Sequence, residues 1–118
     1  MFNFEKLDVW QKAIDFADLV YNSTRNLPSE ERFGLTNQMR RAAVSISSNI
    51  AEGTSRMSQT DFKRFVEIAT GSVFEVISQA FIGRGQGLFN EETFSSLYSA
   101  AEEVGRMLGG LRKSLSPK

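Results

Sequence analysis

Residues 7–27 read LDVWQKAIDFADLVYNSTRNL, and two interleaved apolar rows run through them. Leu7, Trp10, Ile14, Ala17, Tyr21 and Thr24 recur at alternating steps of three and four, and Val9, Ala13, Phe16, Val20 and Leu27 trace a second row beside the first. Both rows have the period of an α-helix, not the alternation of a strand. The pattern predicts a helix from about Asp8, a candidate N-cap, to about Asn26, ended by Pro28. Together the rows cover about half of the circumference, whereas a helix in an isolated bundle needs an apolar stripe of about 100°. A deeply sunk helix in a monomer would absorb the surplus. A partner subunit is the better reading, with Val9, Phe16 and Val20 as the expected oligomer interface.

The same period recurs three more times. A second helix is expected from Glu30 or Phe33 to Glu52, stopped by Gly53, with Met39, Ala43, Ile46 and Ile50 as its core stripe. Its small residues Ala43, Ser47 and Ala51 fall every fourth position, which lets a neighbouring backbone come close. A third helix opens at Ser58, with Asp61 placed as the acidic half of a capping box, and carries Phe62, Val66, Ala69, Val73, Val76 and Ala80 on one seam. Glu67, Gly71 and Glu75 form a thin polar line through it. The run GRGQG, Gly83 to Gly87, is expected to break the chain. A phosphate-cradling loop would need a preceding strand, so a helix C-cap is the expected role. Asn90 then caps a last helix to about Leu115, with Phe94, Leu97, Ala101, Val104, Leu108 and Leu111 in heptad register. Four helices of about 20 residues joined by short loops predict an all-α, antiparallel up-down four-helix bundle in one domain covering residues 1–118.

Composition narrows the chemistry. The 118 residues include no Cys and no His, which removes thiolate chemistry, the commonest general base and the commonest metal ligand. The paired glutamates Glu30/Glu31, Glu91/Glu92 and Glu102/Glu103 are neighbours in sequence, and adjacent helical positions do not converge on one substrate. A non-enzymatic protein without cofactor or metal is expected. The longest uncharged run, AAVSISSNIA, is far short of a membrane span of about 20 apolar residues. The opening MFNFEKLDVW lacks the order of a signal peptide. These features predict a cytoplasmic location and no membrane partner.

Lys plus Arg and Asp plus Glu balance at 14 each, so any electrostatic recognition is local. Between Arg32 and Arg64 stand six basic residues against Glu52 and Asp61, a local charge of +4. At the centre of this segment lies RRAAVSISSNIAEG, residues 40–53. Adjacent helical residues diverge by about 100°, so Arg40 and Arg41 cannot face the same way. One is expected in an ion pair with Glu67 or Glu75, for which Arg41 is the candidate. Arg40 would then join Arg56, Lys63 and Arg64 on a face that meets RNA or DNA phosphates weakly. The pattern leaves open which arginine is buried. A scaffold that holds another protein, without direct nucleic-acid contact, is the alternative.

Three motifs in order, FEKLDVWQKA, GLTNQMRRAAVSISSNIAEG and FxxIAxGSxxE from Phe65 to Glu75, resemble those of the four-helix-bundle proteins encoded in intervening sequences of bacterial large-subunit ribosomal RNA genes. The resemblance covers roughly residues 2 to 82. It implies an antiparallel bundle assembled as a ring-shaped homopentamer, with no established biochemical role. A related branch, the accessory variability proteins of diversity-generating retroelements, is implied to bind nucleic acid and a reverse transcriptase. This chain departs from the pattern at Ser47 and Ser48, where the family often has a proline, and at FIGRGQGLF, which ends the third helix.

Overall fold

In the computed structural model, which describes residues 1–116, the helix-period segments fold into four helices, with no strand among the described residues. These are α1 (Asp8–Thr24), α2 (Leu35–Gly53), α3 (Gln59–Gly85) and α4 (Glu91–Ser114). α1 lies against α2 and α4, and α3 lies against α2 and α4, with no close backbone approach across either diagonal. The helices therefore follow chain order around a central axis in a prism of 46 × 23 × 20 Å. Short connections between neighbours make the order up-down-up-down.

Local chemistry sets the ends. Ser58 Oγ accepts the Asp61 N–H at 3.1 Å and Asn90 Oδ1 accepts the Thr93 N–H at 2.7 Å, so both expected caps are made. Asp8 makes no cap; it is the first helical residue, and Leu7 precedes it. The chain start is tied down instead by a 3-10 turn, Asn3–Lys6, in which Glu5 Oε2 accepts the Phe2 N–H at 2.8 Å and Phe4 packs on Trp10 with ring centroids 4.8 Å apart.

Two glycines act differently from expectation. Gly83 does not break α3: it is buried, and a methyl there would overlap the Phe89 ring. The stop comes at Gly87, whose φ of +74° lets Leu88 N–H reach Gly83 O at 2.8 Å and Gly87 N–H reach Arg84 O at 3.0 Å, a Schellman closure. Gly53 likewise sits inside α2 rather than beyond it, where an added Cβ would lie 2.8 Å from Phe62 Cδ1. Both positions let aromatic rings lie against bare backbone.

The core corrects the expected oligomer interface. Val9, Phe16 and Val20 are 5%, 1% and 0% exposed within a single protomer, so they offer no surface to another chain. With α1 wedged between α2 and α4, that row points at the bundle axis, where it meets Met39, Ile46, Leu97 and Leu108 in one cluster. The surplus lies on the other row, where Trp10, Ile14 and Ala17 are half-buried and Tyr21 is exposed.

α3 is apolar nearly all round. One 18-residue window of it has a mean hydropathy of 1.4, with 39% of the window buried in the bundle, so by length and composition it passes for a membrane span. Glu67 and Glu75 stand on its exposed side.

Candidate interaction surfaces

Arg40, expected on the phosphate face, is held by neighbouring groups of the protein, and Arg41, the candidate for the ion pair, stands exposed. Arg40 Nε donates to Thr24 Oγ1 at 2.9 Å and Nη2 to the Tyr21 carbonyl at 3.4 Å, with the guanidinium 4.5 Å from the Tyr21 ring. Thr24 is buried, and its hydroxyl donates a hydrogen bond to the Val20 carbonyl at 2.8 Å. Arg40 thus ties α2 to the last turn of α1, where a cation complements the helix dipole. Arg41, about 100° further round, is exposed and has no described carboxylate within 4.0 Å.

The expected Arg41 pair with Glu67 or Glu75 is therefore not formed. Glu67 belongs to Arg112 of α4, whose Nε and Nη2 both lie 2.7 Å from Oε2. Both partners are about half exposed, so the pair contributes about 0–1 kcal/mol. Glu75 is exposed and meets only Gln79 Nε2, at 3.4 Å. The α2–α3 seam is held by neutral groups: Ser45 and Ser72 hydroxyls 3.0 Å apart, with Asn49 Nδ2 donating to the Ser45 carbonyl at 2.8 Å. Gln79 Oε1, also on α3, is buried with no hydrogen-bond partner among the described residues.

The four expected phosphate contacts divide between two ends of the molecule. Arg56, Lys63 and Arg64 gather at the α2–α3 turn, while Arg40 lies about 20 Å away along α2, at 1.5 Å per residue. Arg56 pairs with Glu52 at 2.9 Å and stacks 4.5 Å from the Phe65 ring. Arg64 lies 3.7 Å from Asp61. Lys63 is the one of the three with no described carboxylate within 4.0 Å.

The surplus apolar surface read from the sequence is present, but on residues other than those named for the interface. On the α3–α4 side, Val73, Phe74, Ile77, Tyr98 and Ala101 line a groove of about 360 Å³ with Glu102 and Gly105 at its edge. Phe74 is 69% exposed, and Phe81 and Tyr98 are 46% and 40% exposed. On the α1–α2 side, Tyr21 and Val44 are exposed beside half-buried Trp10, Ile14 and Ala17. Since the helices run in chain order round the axis, these flanks lie on opposite faces of the bundle. Phe74 carried a signal: it falls outside the core seam of α3.

A sequence model of the family described as 23S rRNA-intervening sequence protein matches residues 5–110. No curated protein matches the chain significantly. Among solved structures, a crystal structure from Bacteroides thetaiotaomicron VPI-5482, described as a protein with unknown function from the S23 ribosomal protein family, superposes with a TM-score of 0.82 at 24% identity, covering 89% of this chain and 95% of that one. At that identity the superposition speaks for the fold alone. The family match runs from the N-terminal 3-10 turn into the last turns of α4, and the chain belongs to the 23S rRNA-intervening sequence protein family.

Proposed function

We propose that this protein is a non-enzymatic scaffold that works in the cytoplasm by assembling with copies of itself into a closed ring, a pentamer on the family resemblance. The observation that carries the reading is the pair of apolar flanks on opposite faces of one protomer. When the α1–α2 flank of one copy meets the α3–α4 flank of the next, the contact is head-to-tail, and such contacts form rings when the rotation closes. Charge favours the same match, since Arg40 and Arg41 line the first flank and Glu102 the second. The exposed face of α3 serves protein contact in this reading and not a bilayer, because Glu67 and Glu75 on that face would be costly in hydrocarbon. Light scattering tests the proposal: a pentamer has a mass of about 66 kDa, five copies of the 13.2 kDa chain, and a 13.2 kDa particle at micromolar concentration rejects it.

A second reading adds weak nucleic-acid association, supported by Arg41 and Lys63, cations with no described carboxylate partner. A ring would repeat the α2–α3 turn, with Arg56, Lys63 and Arg64, five times around one rim. Binding of RNA should weaken steeply with salt. A pull-down with and without nuclease separates this from a protein partner such as a reverse transcriptase, since direct protein contacts survive the nuclease.

A further inference from the structure

The α1–α2 turn holds a concave site that borders the α1–α2 flank through Arg40. Arg25 at the end of α1, Arg32 after the 3-10 turn Ser29–Glu31, and Arg40 on the second turn of α2 line a cavity of about 250 Å³, together with Thr24, Ser29 and Thr36. No carboxylate lines it. Glu30 and Glu31 lie on the same turn, yet no described carboxylate comes within 4.0 Å of any of the three guanidinium groups. Three like charges around one cavity repel one another, and an anion placed among them recovers that free energy.

The local geometry adds to the charge. Arg40 is already fixed by Thr24 Oγ1 and the Tyr21 carbonyl, so its position is set before any ligand arrives. That carbonyl belongs to the negative end of α1, and Arg40 offsets it. Arg25 is steadied by the Asn22 side-chain oxygen at 2.9 Å. The first turn of α2 has neither a side-chain cap nor an acidic residue, and Thr36 in that turn lines the cavity. A guanidinium fork pairs bidentately with carboxylate or phosphate, but three arginines around one cavity can share the three or more terminal oxygens of a phosphate, where a carboxylate offers two.

We propose that the cavity at the α1–α2 turn, lined by Arg25, Arg32 and Arg40, binds a terminal phosphate group. The group arrives either as free phosphate or as the 5′-phosphate of a nucleic-acid strand. Of the three arginines only Arg40 is shared with the α1–α2 flank; Arg25 and Arg32 lie outside both flanks.

Titration calorimetry at low salt tests it with three probes: inorganic phosphate, a 5′-phosphorylated RNA hexanucleotide and its 5′-hydroxyl twin. Arg25→Gln and Arg32→Gln are the variants, since both side chains are exposed and neither ties two helices together. Circular dichroism confirms that they fold, and light scattering that their mass matches the parent. The proposal expects phosphate to bind and each substitution to weaken it about tenfold or more. The phosphorylated strand binding more tightly than phosphate and than its twin assigns the site to strand ends; equal affinity of strand and phosphate assigns it to the free group. No heat with phosphate or with the phosphorylated strand overturns the proposal, as does an affinity that both substitutions leave unchanged.

Discussion

Replacing Arg40 by methionine should destabilise the bundle while the same change at Arg41 should not. The methionine keeps much of the aliphatic stem, so the loss is polar. It removes the donor 2.9 Å from Thr24 Oγ1 and the cation 4.5 Å from the Tyr21 ring. A hydrogen bond from a charged donor contributes about 1.5–3 kcal/mol and a cation–π contact at a half-exposed site about 0.5–1 kcal/mol. The Thr24 hydroxyl keeps its own bond to the Val20 carbonyl, which holds the total near the lower end, about 2–2.5 kcal/mol. Arg41, exposed and with no described carboxylate partner, should cost less than about 0.5 kcal/mol. Urea unfolding at one fixed protein concentration measures both, and the fixed concentration matters because assembly makes apparent stability depend on it. By heat, Arg40→Met should lower Tm by about 8–10 °C, at roughly 4 °C per kcal/mol for a domain of this size. Equal effects at the two arginines, or a larger one at Arg41, would refute the assignment.

A double-mutant cycle on Glu67→Gln and Arg112→Gln should give a coupling of less than about 1 kcal/mol, because the pair is half exposed, and Glu75→Gln with Arg41→Gln should give none. Gly83→Ala should cost about 1–3 kcal/mol in thermal unfolding, since the new methyl meets the Phe89 ring. Gly105→Ala, whose methyl meets nothing in the protomer, should stabilise the isolated helix by about 0.8–1 kcal/mol yet weaken self-association by crowding the α3–α4 groove, which dilution followed by light scattering resolves.

Periodicity was enough to read four helices, their order and most of their core, because apolar residues at helical spacing report burial directly. Ser58 and Asn90 were legible as caps for the same reason: the chemistry is local. What the pattern could not supply was direction around the axis. Two apolar rows on α1 look alike in sequence, and only the packing of α1 between α2 and α4 turns Val9, Phe16 and Val20 inward and leaves Trp10, Ile14 and Tyr21 at the edge. The Arg112–Glu67 pair joins residues 45 apart, a separation that no local spacing rule reaches. Arg112 fits equally well as a charge complementing the end of α4. Gly53 and Gly83 resemble helix stops in sequence, and their role as room for Phe62 and Phe89 depends on which ring lies opposite. The cavity at the α1–α2 turn gathers Arg25, Arg32 and Arg40 from two helices and the loop between them, so it has no signature at any fixed spacing.

The account rests on two opposed apolar flanks holding copies together, and the mass in solution of the parent and of Phe74→Glu tests that directly. Phe74 is 69% exposed in the protomer, so the charge should leave folding intact by circular dichroism. A multi-subunit particle for the parent that falls to 13.2 kDa in Phe74→Glu is the expected result. A parent that is already 13.2 kDa, or a variant that keeps the parent's mass, contradicts it.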